Sequence, residues 1–76
     1  MKTAIDSPED WVGVLVEVLR DYGRPMFQSE ASRIAAKICG ISIVRMPYVV
    51  DLAIKDGLIV RGDFDRRELL HLVETL

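Results

Sequence analysis

Apolar side chains recur at helical spacing through the first third of the chain. Trp11, Leu15, Val18 and Tyr22 stand at i, i+4, i+7 and i+11, flanked by Val12, Val14 and Leu19, so one broad face of a helix is apolar over three turns. Ser7 is placed to cap that helix, Pro8 suits its first position, and Glu9 with Asp10 complement the dipole. Gly23 stops it and Pro25 prevents its continuation. The spacing predicts a helix near 8–22. Its stripe is wider than one neighbouring helix covers, which implies two packing partners or a second molecule.

Beyond the apolar connector Met26-Phe27, Ser29 stands in a capping position and Ala31, Ile34, Ala35 and Ile38 return at helical spacing before Gly40. A second helix near 29–39 follows, with those four residues inward and Ser32, Arg33 and Lys37 on other faces. Pro47 has no N–H to donate, so it belongs in a first turn and starts a third helix between Val44 and Met46. That helix, near 46–56, turns Met46, Val49, Val50 and Ala53 inward. At 100° per residue Tyr48, Asp51 and Lys55 share the opposite face, with Val44 beside them. Leu15, Ile34, Ile38, Val50 and Ala53 are the expected centre of the core. Gly57 then gives way to Leu58-Ile59-Val60-Arg61, apolar and β-branched enough for a strand, and Gly62-Asp63-Phe64-Asp65 reads as its turn. Residues 66–76 fit two patterns. As a helix, Asp65 caps, Glu68 completes the box, and Leu69, Leu72, Val73 and Leu76 align. As a strand, Arg66 to Val73 returns antiparallel, with Leu70 and Leu72 toward the core.

Two short helices joined by a Gly-containing turn make a helix-turn-helix. Residues 29–61 resemble that of the winged proteins, where the second helix runs directly into a wing strand. G-L-I-V-R-G-D-F-D-R-R-E-L-L-H-L, residues 57–72, is similar to the wing of the MarR (multiple antibiotic resistance regulator) family. There a G-L-I-x-R strand passes an acidic tip containing D-R-R to a second strand with alternating Leu. The resemblance implies a strand over the end of the chain. The fold class is then mainly α with a small β-hairpin: a winged helix-turn-helix of three helices plus wing, one domain over 1–76. It implies a stub of strand at Met26-Phe27 that pairs with the wing. It also implies that Asp65 pairs with Arg66 or Arg67 to stiffen the wing, while an Arg at the tip reaches a minor groove.

Charge sharpens this reading. The net charge is −2, mildly unfavourable for nucleic acid, but it is unevenly spread. Residues 1–23 carry two basic and five acidic side chains, residues 24–62 six and three, and residues 63–76 two and four. The basic surplus sits on the helix-turn-helix. Half the residues are hydrophobic, enough for one small core without staples. Cys39, alone, forms no internal disulfide and reads as a small apolar residue. Met1-Lys2-Thr3-Ala4-Ile5-Asp6 is interrupted by acid too early for a signal peptide, and no membrane span follows, which favours the cytoplasm. His71 stands alone among leucines. No Cys/His spacing suits zinc, no Gly-rich loop suits phosphate, and no carboxylate pair falls in an apolar setting. The expectation is a protein without cofactor, metal or catalytic residues, and not an enzyme.

The leading functional expectation is a DNA-binding winged helix, a small transcriptional regulator of phage-like size. Arg33, Lys37, Arg45 and Lys55 would contact phosphates, Tyr48 and Lys55 the major groove, and Arg66 with Arg67 the minor groove, with Asp65 stabilising the wing. So short a domain would dimerise, and the apolar stripe of its first helix offers the surface. The third helix lacks Asn, Gln or Arg on its outer face, and Asp51 there repels phosphate. That deficit favours the alternative, a winged helix used as a protein-interaction module. One form is a small phage-encoded inhibitor of a host complex, resembling anti-CRISPR proteins in size and acidity.

Overall fold

The computed structural model describes residues 7–75. Leu76 and residues 1–6, on which the reading of the chain's start rests, lie outside the described residues.

Helix α1, Pro8–Tyr22, begins where Ser7 caps it. The Asp10 N–H donates to Ser7 Oγ at 3.3 Å, and the Ser7 hydroxyl donates back to Asp10 Oδ2 at 2.9 Å. It ends at Gly23, whose φ of 80° is left-handed and whose N–H closes on the Leu19 carbonyl. A two-residue strand β1, Met26–Phe27, runs straight into α2, Gln28–Cys39. Because the strand ends at Phe27, that residue takes the capping position and supplies no side-chain bond; Ser29 falls inside the helix and is not its cap. A 3-10 turn, Ile43–Arg45, capped by Ser42, leads into α3, Met46–Lys55, with Pro47 in its first turn.

The rest of the chain is a hairpin. Strand β2, Ile59–Phe64, pairs antiparallel with β3, Arg67–Leu72, and a second 3-10 turn covers Val73–Thr75. Strand order is β1-β3-β2, with Met26 opposite Leu70 and Phe27 opposite Leu69. The ambiguous tail is therefore a wing strand, and Leu70 and Leu72 alternate into the core. Three helices and a wing form a winged helix-turn-helix. Its hairpin is longer and its turn tighter than the sequence suggests. Gly62 to Phe64 belong to β2, and only Asp65 and Arg66 form the loop, both at positive φ, 56° and 65°. Two residues with φ above zero between paired positions Phe64 and Arg67 make a type I′ turn.

The core lies where the three helices meet the inner face of the sheet. Leu15 and Leu19 from α1, Met46, Val49, Val50 and Ala53 from α3, and Ile59 and Leu70 from the hairpin are buried. Against expectation, Ile34 and Ile38 are not core residues, being 39% and 54% exposed. Helix α2 instead turns Ala31, Ser32, Ala35, Ala36 and Cys39 inward, roughly 80° from the expected face at 100° per residue. Both sets have helical spacing, so periodicity does not separate them. Small side chains let α2 lie close to α1, whose Leu15 and Leu19 fill the space between. Tyr22 at 47% exposure likewise leaves the core and lines a surface groove with Met26, Ile34 and Ile38.

Candidate nucleic-acid interface

The wing, the start of α2 and the start of α3 enclose an open cleft of about 620 Å³. Gln28, Ser29 and Ser32 line it from α2, Ile43 from the 3-10 turn, Met46 and Pro47 from the start of α3, and Asp63, Arg66, Arg67 and Glu68 from the wing. Helix α2 begins without a side-chain cap, and its first two residues, Gln28 and Ser29, lie on this cleft. Ser32, only 5% exposed, lies in the cleft wall without a side-chain hydrogen bond among the described residues. The hydroxyls of Ser29 and Ser32 and the side chains of Arg66 and Arg67 thus line one opening, a donor-rich surface of the kind that accepts an anion. Asp63 and Glu68 oppose it.

Arg61, legible in the sequence only as part of the strand pattern, ties the wing to α2 and α3. Its Nε donates to Gln28 Oε1 at 3.0 Å, one terminal nitrogen donates to Asp51 Oδ1 at 3.0 Å, and Glu68 lies 4.0 Å away. Alternation along β2 puts Arg61 on the same face as buried Ile59, and that signal was available in the sequence. The consequence is electrostatic. Asp51 does not stand as a bare negative charge on α3; Arg61 neutralises it.

The candidate cations divide. Arg66 sits at the tip of the turn with no hydrogen-bond or ion-pair partner among the described residues. The Arg67 guanidinium stacks on Phe27, 3.8 Å from the ring centre, and donates to Ser29 Oγ at 3.5 Å, while Phe27 and Phe64 pack at 6.3 Å. Cation–π contact fixes Arg67 at the cleft edge. Arg33 lies one turn beyond Ser29 on the outward side of α2, outside the cleft lining, and Lys55 lies on the outward face of α3. Two others are not brought to the cleft. Arg45 lies over the Trp11 ring at 5.8 Å, toward α1, and Lys37 lies a further turn beyond Arg33, toward the end of α2. Tyr48 leans toward the start of α1, sharing a shallow pocket with Pro8, Glu9 and Val12. Asp65 forms no ion pair with Arg66 or Arg67 among the described residues. What it gives the wing is a side chain tolerant of left-handed backbone.

Other chemistry is sparse. His71 stands opposite Val60 on the outer face of the sheet. Cys39 is buried, and that burial, followed by nearby Asp10, pushes its thiol up, leaving it protonated and unreactive at neutral pH. Among the described residues no three His, Cys, Asp or Glu side chains are grouped to hold a metal ion, and no helix is long and apolar enough to cross a membrane. Comparison with known protein families, with curated proteins and with solved structures finds no match.

Proposed function

We propose that the protein binds double-stranded DNA through the cleft face, mainly by its phosphates, as a small winged-helix regulator. The observation that carries this is Arg66. A non-glycine residue at φ of 65° is disfavoured by about 1 kcal/mol or more, and no hydrogen bond or ion pair of its side chain among the described residues compensates for it. An unpartnered arginine held at the tip of a stiff two-residue turn suits insertion into a minor groove or against phosphate. Arg67, Ser29 and Ser32 supply phosphate donors beside it, and Arg33 and Lys55 extend the surface.

Base selectivity in this reading is low. Apart from Lys55, the outward face of α3 offers Asp51, already engaged by Arg61, and exposed Val44 and Tyr48. Those two exposed apolar side chains favour the second reading, a protein-interaction module using the same helix. An electrophoretic shift on mixed-sequence duplex at low salt tests the first against the second. DNA binding requires retardation that Arg66→Ala and Arg67→Ala each weaken. A folded protein that leaves every duplex unshifted excludes it, and pull-down with Val44→Asp and Tyr48→Ala as controls then tests the protein partner.

A further inference from the structure

The seam between α1 and α2 is apolar, exposed and unused by the cleft. Val14, Val18 and Tyr22 on α1 meet Ile34 and Ile38 on α2 along two adjoining grooves. Ile34, Ile38 and Tyr22 are the exposed large side chains among them, where solvated polar residues would be expected of a monomer. A second observation lies beside it. Gly13 sits in mid-helix, lines one of these grooves, and a Cβ there would meet nothing within 4 Å. Nothing among the described residues requires glycine at a position where alanine makes the better helix. The notch it leaves opens outward.

The charges flanking the seam differ in sign. The α1 edge carries Asp10, Glu17 and Asp21; on α2, beyond Ile34 and Ile38, helical position puts Glu30, Arg33 and Lys37, a net basic edge. Asp10 is engaged with Ser7 and Glu17 with Arg20, but Asp21 and Lys37 have no ion-pair partner among the described residues. A surface net acidic on one side of a line and net basic on the other is complementary to its own copy. A two-fold axis along the seam places α1 of one protomer over α2 of the other, setting Asp21 and Glu17 against Lys37 of the second copy. An axis across the helices would instead stack acid on acid. In the first arrangement the isoleucines of one copy project toward the Gly13 notch of the other.

The geometry points to this seam as a homodimer interface, formed by a second copy of the chain with α1 over α2. It is separate from the cleft and does not rest on DNA binding, so its test uses no DNA. Sedimentation of the protein across a concentration series should give a dimer whose dissociation constant rises with salt, because the flanking ion pairs are exposed to solvent. Ile38→Glu, at a position exposed in the protomer, should raise that constant by about tenfold or more with the helical signal retained. Gly13→Leu should fold with unchanged or greater thermal stability and also dissociate. Asp21→Lys and Lys37→Glu should each weaken the dimer, and the two together should restore it. Three results would overturn the proposal: a wild-type monomer at sub-millimolar concentration, a dimer indifferent to Ile38→Glu, or a double charge exchange weaker than either single one.

Discussion

Arg66 occupies backbone that glycine adopts freely and arginine seldom does. Arg66→Gly should therefore raise stability by about 0.5–1 kcal/mol in a urea titration, while its affinity for duplex at low salt falls. A gain in both would remove the reason to assign the residue to DNA. Burial divides the remaining positions sharply. Leu15→Ala should cost about 2–5 kcal/mol, and Ala35→Leu about 1–3 kcal/mol, because α2 lies against α1 with no room for a larger side chain. Ile38→Ala in dilute protein should cost less than about 1 kcal/mol, since half that side chain is already in water. The sequence pointed to the opposite ranking for Ile38 and Ala35. Hydrophobicity weights isoleucine above alanine, but how closely two helices approach depends on side-chain size at the contact, and one chain's pattern does not state which face is closest.

Among the elements, α1 and α3 were legible almost to the residue, because each has chemical punctuation at its start: Ser7-Pro8 for one and Pro47 for the other. The wing was legible as a strand only through its resemblance to a known wing, since Leu69, Leu70, Leu72 and Val73 satisfy both periods. Its tip was displaced because Gly62 looks like turn chemistry, yet it stays in β2 opposite Leu69 while Asp65 and Arg66 take the positive φ values. The cleft was only partly legible: Arg66 and Arg67 stood out, but the partners of Arg61 come from three elements distant in sequence. A double-mutant cycle on Arg61→Ala and Asp51→Ala should return a coupling of about 0.2–1 kcal/mol, the range for solvent-exposed pairs. Arg61→Ala alone should also weaken DNA binding by uncovering Asp51. The last 3-10 turn is tied back to α1 by Arg20, which donates to both Glu74 oxygens at 3.0 Å. The hydrogen bond from Arg20 holds the Glu74 carboxyl below the usual glutamate range. Its contribution is therefore complete above the ordinary glutamate pKa and is lost as pH falls through the lowered one. Glu74→Gln should lower stability slightly at neutral pH and flatten the acid limb of the stability–pH curve, as read by denaturant melts from neutral to acid pH.

For the whole molecule the unfavourable feature is net charge: an overall −2 gives DNA no long-range attraction, so affinity must come from local contacts. Six cations looked available in the sequence, namely Arg33, Lys37, Arg45, Lys55, Arg66 and Arg67. The fold directs Arg45 onto Trp11 and leaves Lys37 in the last turn of α2, two turns beyond Ser29. Four remain, on the wing, α2 and α3. Each phosphate neutralised contributes about 0.9 to the slope of log K against log salt, so three or four contacts predict about −3 to −4 per protomer. Arg66→Ala and Arg67→Ala should each make the slope shallower by about one, on any duplex sequence. Lys37→Ala should leave it unchanged per protomer, although it loosens the proposed dimer. Lys55, the one cation on the outward face of α3, is where a sequence preference should appear, as unequal losses across a panel of duplexes when it is replaced. The measurement is a salt titration begun at low ionic strength, where the electrostatic contribution is largest. A slope near zero with binding intact would mean that phosphates are not the ligand. A slope unaffected by Arg66 and Arg67 would move the interface off the wing altogether.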